Sequence, residues 1–454
     1  MQSKASSFGY LVIMKSTTRR NILKQLTATG IIMPYVAKTS WAQNPPSNTL
    51  RHASFGGGGM AMSDLTTISS APNVQLVATV EIDQDRRNSF KNRFNNTRVY
   101  ADWREMLDKE AKNLDSVNVS TPDHMHAPMA MSAMQLGKHV YGQKPLTHEI
   151  YECRQVQNFA REKKLVTQMG IQIHSHIFYR TAVRIVQDGV IGKIKEVHTW
   201  SNKKWGDMGP KPNRKDTVPK GLNWDQWIGP APYTDYLKGY YHPGNWRRRL
   251  DYGTGTFGDM GCHIYDPVFK ALDLTSPLSL KSTGPKPNSH NWAINAEIRY
   301  TFPSTKFSDG KTVDVTWYDG DKRPPGDIQA RLDGKRIPGQ GSIFIGTKGV
   351  MLLPHVGKPE LFPKKDFADY KPPELPKINH WDQFVDACRG KGGTSANFDY
   401  AGPLTETVLL GGVATRFPDK ELDWDTEKLE FTNEKNAAQY VRREYRKGWE
   451  VEGL

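Results

Sequence analysis

Between residues 50 and 170 the apolar positions fall in short runs separated by helix-compatible stretches. Leu50 to Phe55, Val74 to Val80, Ser116 to Ser120 and Lys138 to Tyr141 each read as strands. This alternation predicts a parallel sheet covered on both faces, with binding turns at the strands' carboxyl ends. The next segment reads as a helix from Tyr151 to Lys164, a strand from Val166 to Met169, a helix from Ala182 to Gln187 and a strand from Val197 to Trp200. From Trp205 to Trp246 periodicity is lost in a polar stretch rich in Pro and Trp. Ala293 to Phe302, Val313 to Tyr318 and Gly341 to Leu353 then alternate as strands of an open antiparallel sheet do. Helices are expected at Trp381–Ala387 and Thr405–Val413 to cover that sheet.

The first strand runs into Gly56-Gly57-Gly58-Gly59-Met60-Ala61 and then a helical stretch. Read as G-x-G-x-x-A, Gly56 makes the turn, Gly58 admits a pyrophosphate close to the backbone, and Ala61 packs helix on strand. The helix N-terminus then faces the phosphates. Gly59 and Met60 complete the loop. The second strand ends in Glu81, an acid placed to accept from the adenosine ribose hydroxyls, which favours NAD over NADP; Asp83 competes for that role. The third ends in Thr121-Pro122-Asp123-His124 and the fourth in Gly142-Gln143-Lys144-Pro145. The predicted fold class is therefore α/β. A Rossmann domain with a parallel sheet spans 50–172, and a C-terminal α+β domain with a large, open, mostly antiparallel sheet spans 173–454.

Residues 1–42 read as an address. Thr18-Arg19-Arg20-Asn21-Ile22-Leu23-Lys24 is a twin-arginine pattern, followed by a weakly apolar stretch and Ser40-Trp41-Ala42. The start is Met1 or Met14, and the expected location is periplasmic or otherwise exported. The same segment explains part of the net charge of +14: it holds six basic residues and no acidic one, so the remainder carries +8. That charge is spread over a mixed surface without a basic run interleaved with aromatics, so no nucleic-acid partner is expected. No apolar run of about 18 residues follows residue 50, so no membrane span is expected there. The three cysteines, Cys153, Cys262 and Cys388, are widely separated, and no metal site is expected from them or from the scattered His and Asp residues.

Four features resemble the Gfo/Idh/MocA family of oxidoreductases. They are the glycine loop, Thr121-Pro122-Asp123-His124-Met125-His126, Gln143-Lys144-Pro145-Leu146, and Gly258-Asp259-Met260-Gly261-Cys262-His263, which resembles the family's D-x-G-x-H signature. The resemblance covers roughly residues 50 to 454. It implies that Lys144 carries proton chemistry, although the family's usual tripeptide is Glu-Lys-Pro and here it is Gln143-Lys144-Pro145. It also implies a carbohydrate or cyclitol substrate.

Oxidising a secondary alcohol needs a hydride acceptor on one side of the carbon and a proton acceptor near its oxygen. Lys144, beside a cationic nicotinamide, would have a lowered pKa and suit the role of base. Asp259 and His263 lie four apart, on one face if the segment is helical. His263 then reaches the reacting hydroxyl, with Asp259 orienting it or holding a substrate hydroxyl, and Asp266 supports His263 from behind. His124 and His126 are expected near the nicotinamide, with a structural role open for His126. Gln172, His174, Trp246, Arg247 and Asp266 are the substrate candidates. The Trp-rich stretch is either a carbohydrate-facing cover or an ordinary surface loop.

These residues fit an NAD-dependent oxidoreductase of sugar, glycoside or cyclitol hydroxyls with a tightly bound cofactor. They equally fit a redox-neutral glycosidase or lyase that works through a transient keto-sugar. A homo-oligomer built on the sheet's free face is expected.

Overall fold

The computed structural model describes residues 49–454. The expected export segment, residues 1–42, lies outside the described residues.

Six parallel strands form the first sheet, in the order β3-β2-β1-β4-β5-β6. The chain runs β1 (Leu50–Phe55), α1 (Gly59–Ser70), β2 (Val74–Val80), α2 (Gln84–Arg93), β3 (Arg98–Tyr100), α3 (Trp103–Glu110), β4 (Ser116–Val119), α4 (His126–Gln135), β5 (His139–Gly142), α5 (Ile150–Glu162) and β6 (Thr167–Met169). β1 pairs with both β2 and β4. Being central and covered on both faces, it is buried at every position except Arg51. The chain connects outward from β1 in one direction to β3 and then from β4 in the other, and this switch in strand order between β1 and β4 opens a crevice at the strands' carboxyl ends, where the glycine loop, Glu81, Thr121-Pro122 and Gln143-Lys144 sit.

α6 (Ile177–Gln187) leads into β7 (Ile194–Ser201), and then come α7 (Trp224–Ile228), α8 (Gly255–Leu272), β8 (Ser279–Ser282), β9 (Glu297–Pro303), β10 (Thr312–Asp319), α9 (Gly326–Ala330), β11 (Gln340–Gly346), β12 (Val350–Pro354), β13 (Glu360–Phe362), α10 (His380–Cys388), α11 (Phe398–Ala414), β14 (Glu421–Asp425) and β15 (Glu430–Phe431). Nine of these strands form the second sheet, β13-β12-β11-β7-β10-β9-β8-β14-β15, in which only β7 and β10 run parallel. In β9 and β10 burial alternates: Tyr300, Phe302, Val315 and Trp317 face inward, while Arg299, Thr301, Asp314 and Thr316 face out.

α8 is the helix on which the inner face closes. Every residue of it but Lys270 is buried, as expected of a helix apolar on all sides. Phe257 and Tyr265 pack on Trp317 and Tyr300. α11 lies against both α8 and α5, joining the two sheets. α10, by contrast, does not cover the second sheet as the sequence pattern predicts. Its Phe384 and Val385 pack on Leu50, Ile68 and Tyr141, so a segment late in the chain completes the core of the first domain. An amphipathic pattern fixes which face of a helix is buried but not against which sheet.

Residues 207–223 run largely exposed without regular structure, but residues 224–254 form no surface loop. They fold back over the first domain around a cluster of Trp224, Trp227, Tyr236, Tyr240, Tyr241, Trp246 and Tyr252, with Trp224 and Trp227 stacked at 4.7 Å. Backbone and side-chain bonds seat this cover. Gln84 N–H donates to Gly221 O at 3.0 Å and Asn223 N–H to Ile82 O at 3.2 Å. Gln226 donates to Asp102 at 2.6 Å, and His242 Nε2 lies 3.1 Å from Asp83 Oδ2.

At the turn after β1, Gly56 adopts φ +109°. A Cβ there would stand 2.8 Å from Ser120 O and 2.9 Å from Ala61 Cβ. Gly56→Ala is therefore expected to destabilise the fold by about 2 kcal/mol or more, from strain and overpacking together, and to reduce the nucleotide that co-purifies. Thermal unfolding and assay of released nucleotide check both.

Candidate active site

A cavity of about 390 Å³ lies at the carboxyl ends of the parallel strands. Gly56, Gly58, Gly59 and Met60 border it from the loop after β1, Glu81 from the end of β2, Thr121 and Pro122 from the end of β4, and Gln143 and Lys144 from the end of β5. The cover supplies the opposite wall with Trp227, His242, Trp246 and Arg247, and α8 contributes His263.

The cradle fits a dinucleotide. Gly58 carries no Cβ where one would press on the Arg86 side chain at 3.0 Å, and α1 starts at the next residue with its N–H groups toward the cavity end. Glu81 is fixed at the other end of the loop: Gly57 N–H donates to its Oε2 at 3.1 Å and Asp83 N–H to its Oε1 at 3.2 Å. Arg86, which the sequence reading passed over, shares this wall.

Three cations converge on Asp259. Lys144 Nζ donates to its Oδ1 at 2.7 Å and to its carbonyl at 2.9 Å. Lys203 Nζ donates to Oδ2 at 3.2 Å, and Arg247 Nε to Oδ1 at 3.3 Å. Burial alone would push the Asp259 carboxyl up, but the charges of Lys144, Arg247 and Lys203 outweigh it and hold the group well below the ordinary carboxylate range. Asp259 thus holds Lys144 in place and does not bond His263, although the two acids and imidazole positions share one face of α8. His263 lines the cavity beside Lys144. Its Nδ1 is buried without a hydrogen-bond partner. Burial first, and then the charges of Lys144 and His355, hold the ring well below its usual pKa, so it is neutral near pH ~7. His355 itself, its ring 6.0 Å from that of His263, is drawn down to about 4 by burial and by Lys203.

Other predicted residues lie elsewhere. His124 is buried under the cover, its Nε2 on Trp227 O at 2.9 Å. His126 lies between the carbonyls of Pro145 and Thr121, its Nδ1 2.7 Å from the first and its Nε2 2.8 Å from the second, and its one N–H donates to one of them, which pins the turn that carries Lys144. His174 and Asp266 pair with each other at 2.7 Å, and Tyr400 donates to the same carboxylate at 2.6 Å. They border a separate apolar cavity between α6 and α8, so Asp266 supports His174 and not His263. Gln172 is half-buried and outside the main cavity's wall. Trp246 and Arg247 do border it, with the Arg247 guanidinium 4.3 Å from the Trp246 ring centre. Among the described residues, no group of three or more His, Cys, Asp or Glu is arranged to hold a metal ion.

Asp64 explains the glutamine at position 143. It is a lone acid on the buried stripe of α1 formed by Ala61, Leu65 and Ile68, and that exception was visible in the sequence. Its carboxylate accepts from Ser120 Oγ at 2.7 Å, Gln143 Nε2 at 2.9 Å and Trp381 Nε1 at 3.0 Å. Burial outweighs these bonds and raises its pKa. Gln143 Oε1 in turn accepts from Lys144 N–H at 3.3 Å. Gln143→Glu would set a second carboxylate against the first. The pair's folded pKa then lies above its unfolded value, so the penalty grows as pH rises past about 4 and is largest near neutrality. A loss of about 1–3 kcal/mol at neutral pH is expected, shrinking in acid, and thermal unfolding as a function of pH measures it.

Comparison with known proteins places this geometry. The model of the Gfo/Idh/MocA oxidoreductase family's NAD-binding Rossmann fold matches residues 50–171, and that of the family's C-terminal alpha/beta domain matches residues 179–451. The chain is 24% identical over 282 residues to scyllo-inositol 2-dehydrogenase (NAD(+)) of Bacillus subtilis, covering 62% of this chain and 68% of that protein. It is 31% identical over 96 residues to glycosyl hydrolase family 109 protein 1 of Shewanella sp. (strain ANA-3), covering 20% of each. Against the first curated relatives, the matches span 24% to 39% of those proteins' lengths. The solved structure of the WlbA dehydrogenase from Bordetella pertussis, in complex with NADH and UDP-GlcNAcA, shares the fold with a TM-score of 0.59 at 13% identity, over 83% of this chain and 99% of that one. With both of its domains matched in order, the chain belongs to the Gfo/Idh/MocA oxidoreductase family, and its N-terminal domain is the family's NAD-binding Rossmann domain.

Proposed function

We propose that this protein oxidises a secondary hydroxyl of a sugar, glycoside or cyclitol while keeping its NAD bound. The observation that carries this reading is the convergence of Lys144, from the end of β5, and His263, from α8, on one cavity that begins at the glycine loop. NAD, when bound, supplies the hydride acceptor. Lys144 is the base for the hydroxyl proton, and Asp259 holds its amine at the cavity wall. Neutral His263, free of protein partners at Nδ1, hydrogen-bonds the same oxygen and steadies it as charge develops. Glu81 takes the ribose hydroxyls and favours NAD over NADP.

Retention rests on the cover. It is bonded to the first domain at Ile82, Gln84, Asp83 and Asp102, on the side of Glu81. A cofactor that stays in place suits the exported, periplasmic location that the twin-arginine pattern implies, where no nicotinamide pool exists for exchange. The same retention supports a second reading: transient oxidation, elimination or hydrolysis of a glycosidic bond, then reduction of the product. Similarity to a protein named as a family 109 glycosyl hydrolase adds to it. We assign homo-oligomer contacts to the open outer face of β9 and β10.

Nucleotide released by denaturing the purified protein is expected to be NAD. Sugars and glycosides should reduce it while it is bound. A keto-sugar product supports the first reading, and glycosidic cleavage without net redox change supports the second. Lys144→Ala and His263→Ala should each lower turnover by about a hundredfold or more, with NAD still bound. Turnover equal to wild type in both would sink the catalytic assignment. His242→Ala removes one seat of the cover and should speed NAD loss roughly two- to fivefold, read by dilution and nucleotide fluorescence.

A further inference from the structure

Beside this cavity, around Asp259, positive charge exceeds what that carboxylate neutralises, and the two acids on the cavity wall itself are already engaged, Asp123 by the Thr254 N–H and hydroxyl and Glu81 by two backbone N–H groups. Lys144, Lys203 and Arg247 share Asp259, an excess of two positive charges around a single buried acid. The imidazoles beside them, His263 and His355, add no negative charge. Arg247 borders the cavity and Lys203 shares its acid; they keep 29% and 41% of their side-chain surface exposed, against 8% for Asp259, with donors left over from the Asp259 contacts.

Arg247 is also held in one orientation. Its guanidinium lies 4.3 Å from the ring centre of Trp246 and 5.6 Å from that of Trp205. Only its Nε is used on Asp259, which leaves the terminal nitrogens as a fork of the shape that carboxylates and phosphates accept bidentately. A neutral polyol needs no such excess, since hydroxyls are bound as well by amides and by paired carboxylates. Taking these cations out of water without a counter-charge costs free energy that a neutral ligand does not return.

We propose that the substrate of this site bears an anionic group, a carboxylate or a phosphate, which Arg247 and Lys203 bind while Lys144 and His263 face the hydroxyl. This rests on the sugar-oxidising reading above and adds the charge of the substrate to it.

Calorimetric titration of the purified, nucleotide-loaded protein tests it separately from turnover. The probes are matched sets: glucose, glucuronate and glucose 6-phosphate, with the galacto and manno counterparts. At least one acid should bind about tenfold or more tighter than its neutral partner, and the advantage should fall as salt is added. Whether uronate or phosphate shows it identifies the group. Arg247→Gln and Lys203→Gln should each narrow the ratio of acid to neutral affinity, whereas a surface change such as Lys428→Gln, far from the cavity, should leave it as it was. Equal binding of neutral and anionic partners across the panel overturns the proposal, as does a preference that survives both substitutions. Charge-selective binding without reduction of bound NAD by any probe supports this proposal and counts against hydride transfer, so the two readings fail in different ways.

Discussion

A carboxylate buried where two domains meet is an expensive thing for a protein to keep, and Asp259 is kept by sharing. The desolvation of one acid is offset only if good geometry brings enough opposite charge to it, and here the charges come from different parts of the chain. Lys144 stands on the turn after β5, Lys203 follows β7, Arg247 belongs to the cover, and Asp259 itself sits on the most buried helix of the molecule. Loss of Asp259 would leave three cations from three parts of the chain without their shared partner. The relative placement of parallel sheet, antiparallel sheet and cover is therefore tied to the carboxylate that holds the Lys144 amine.

The same constraint explains why α8 is packed on every side. A helix that carries Asp259 and His263 to the cavity must be fixed to within hydrogen-bond tolerance, and rigid elements hold a site better than loops do. Phe257 and Tyr265 lock it to the inner face of the second sheet, and α11 backs it against α5. The cover has the opposite character. It has little regular structure, but its aromatic cluster is a core of its own, and it bonds the first domain both near Glu81 and, through Trp227, Tyr252 and Thr254, at His124 and Asp123 after β4.

Much of this was legible in the sequence, and the exceptions are instructive. The glycine loop, Glu81 and Lys144 could be placed because strand periodicity locates them at the carboxyl ends of a parallel sheet, and His263 because helical spacing and the resemblance to the D-x-G-x-H signature single it out. The imidazoles of His124 and His126 occupy equally promising strand-end positions, but a short turn decides which way each ring points, and both point into carbonyls. His174 and Asp266 are ninety residues apart and found each other instead of the cavity. Lys203 could not be found, since its approach to Asp259 depends on the register of β7 against β10 and β11, which no local pattern specifies. The choice between cover and surface loop stayed open for residues 205–246 because aromatic clusters formed by irregular backbone leave no period to detect.

Position 143 shows how a departure from a family pattern can preserve its physics. Glutamate before the lysine is the usual arrangement, and glutamine here removes a charge from that spot. The charge is present one hydrogen bond further away, on Asp64, which accepts from Gln143 while Gln143 accepts from the Lys144 backbone. The amide is the only side chain of that length that can do both at once, since it has a donor for the acid and an acceptor for the N–H. A glutamate would have the acceptor and lose the donor. Given a buried aspartate on α1, glutamine is what lets the turn that carries Lys144 keep its hydrogen bonds, and the two positions are best read as one unit.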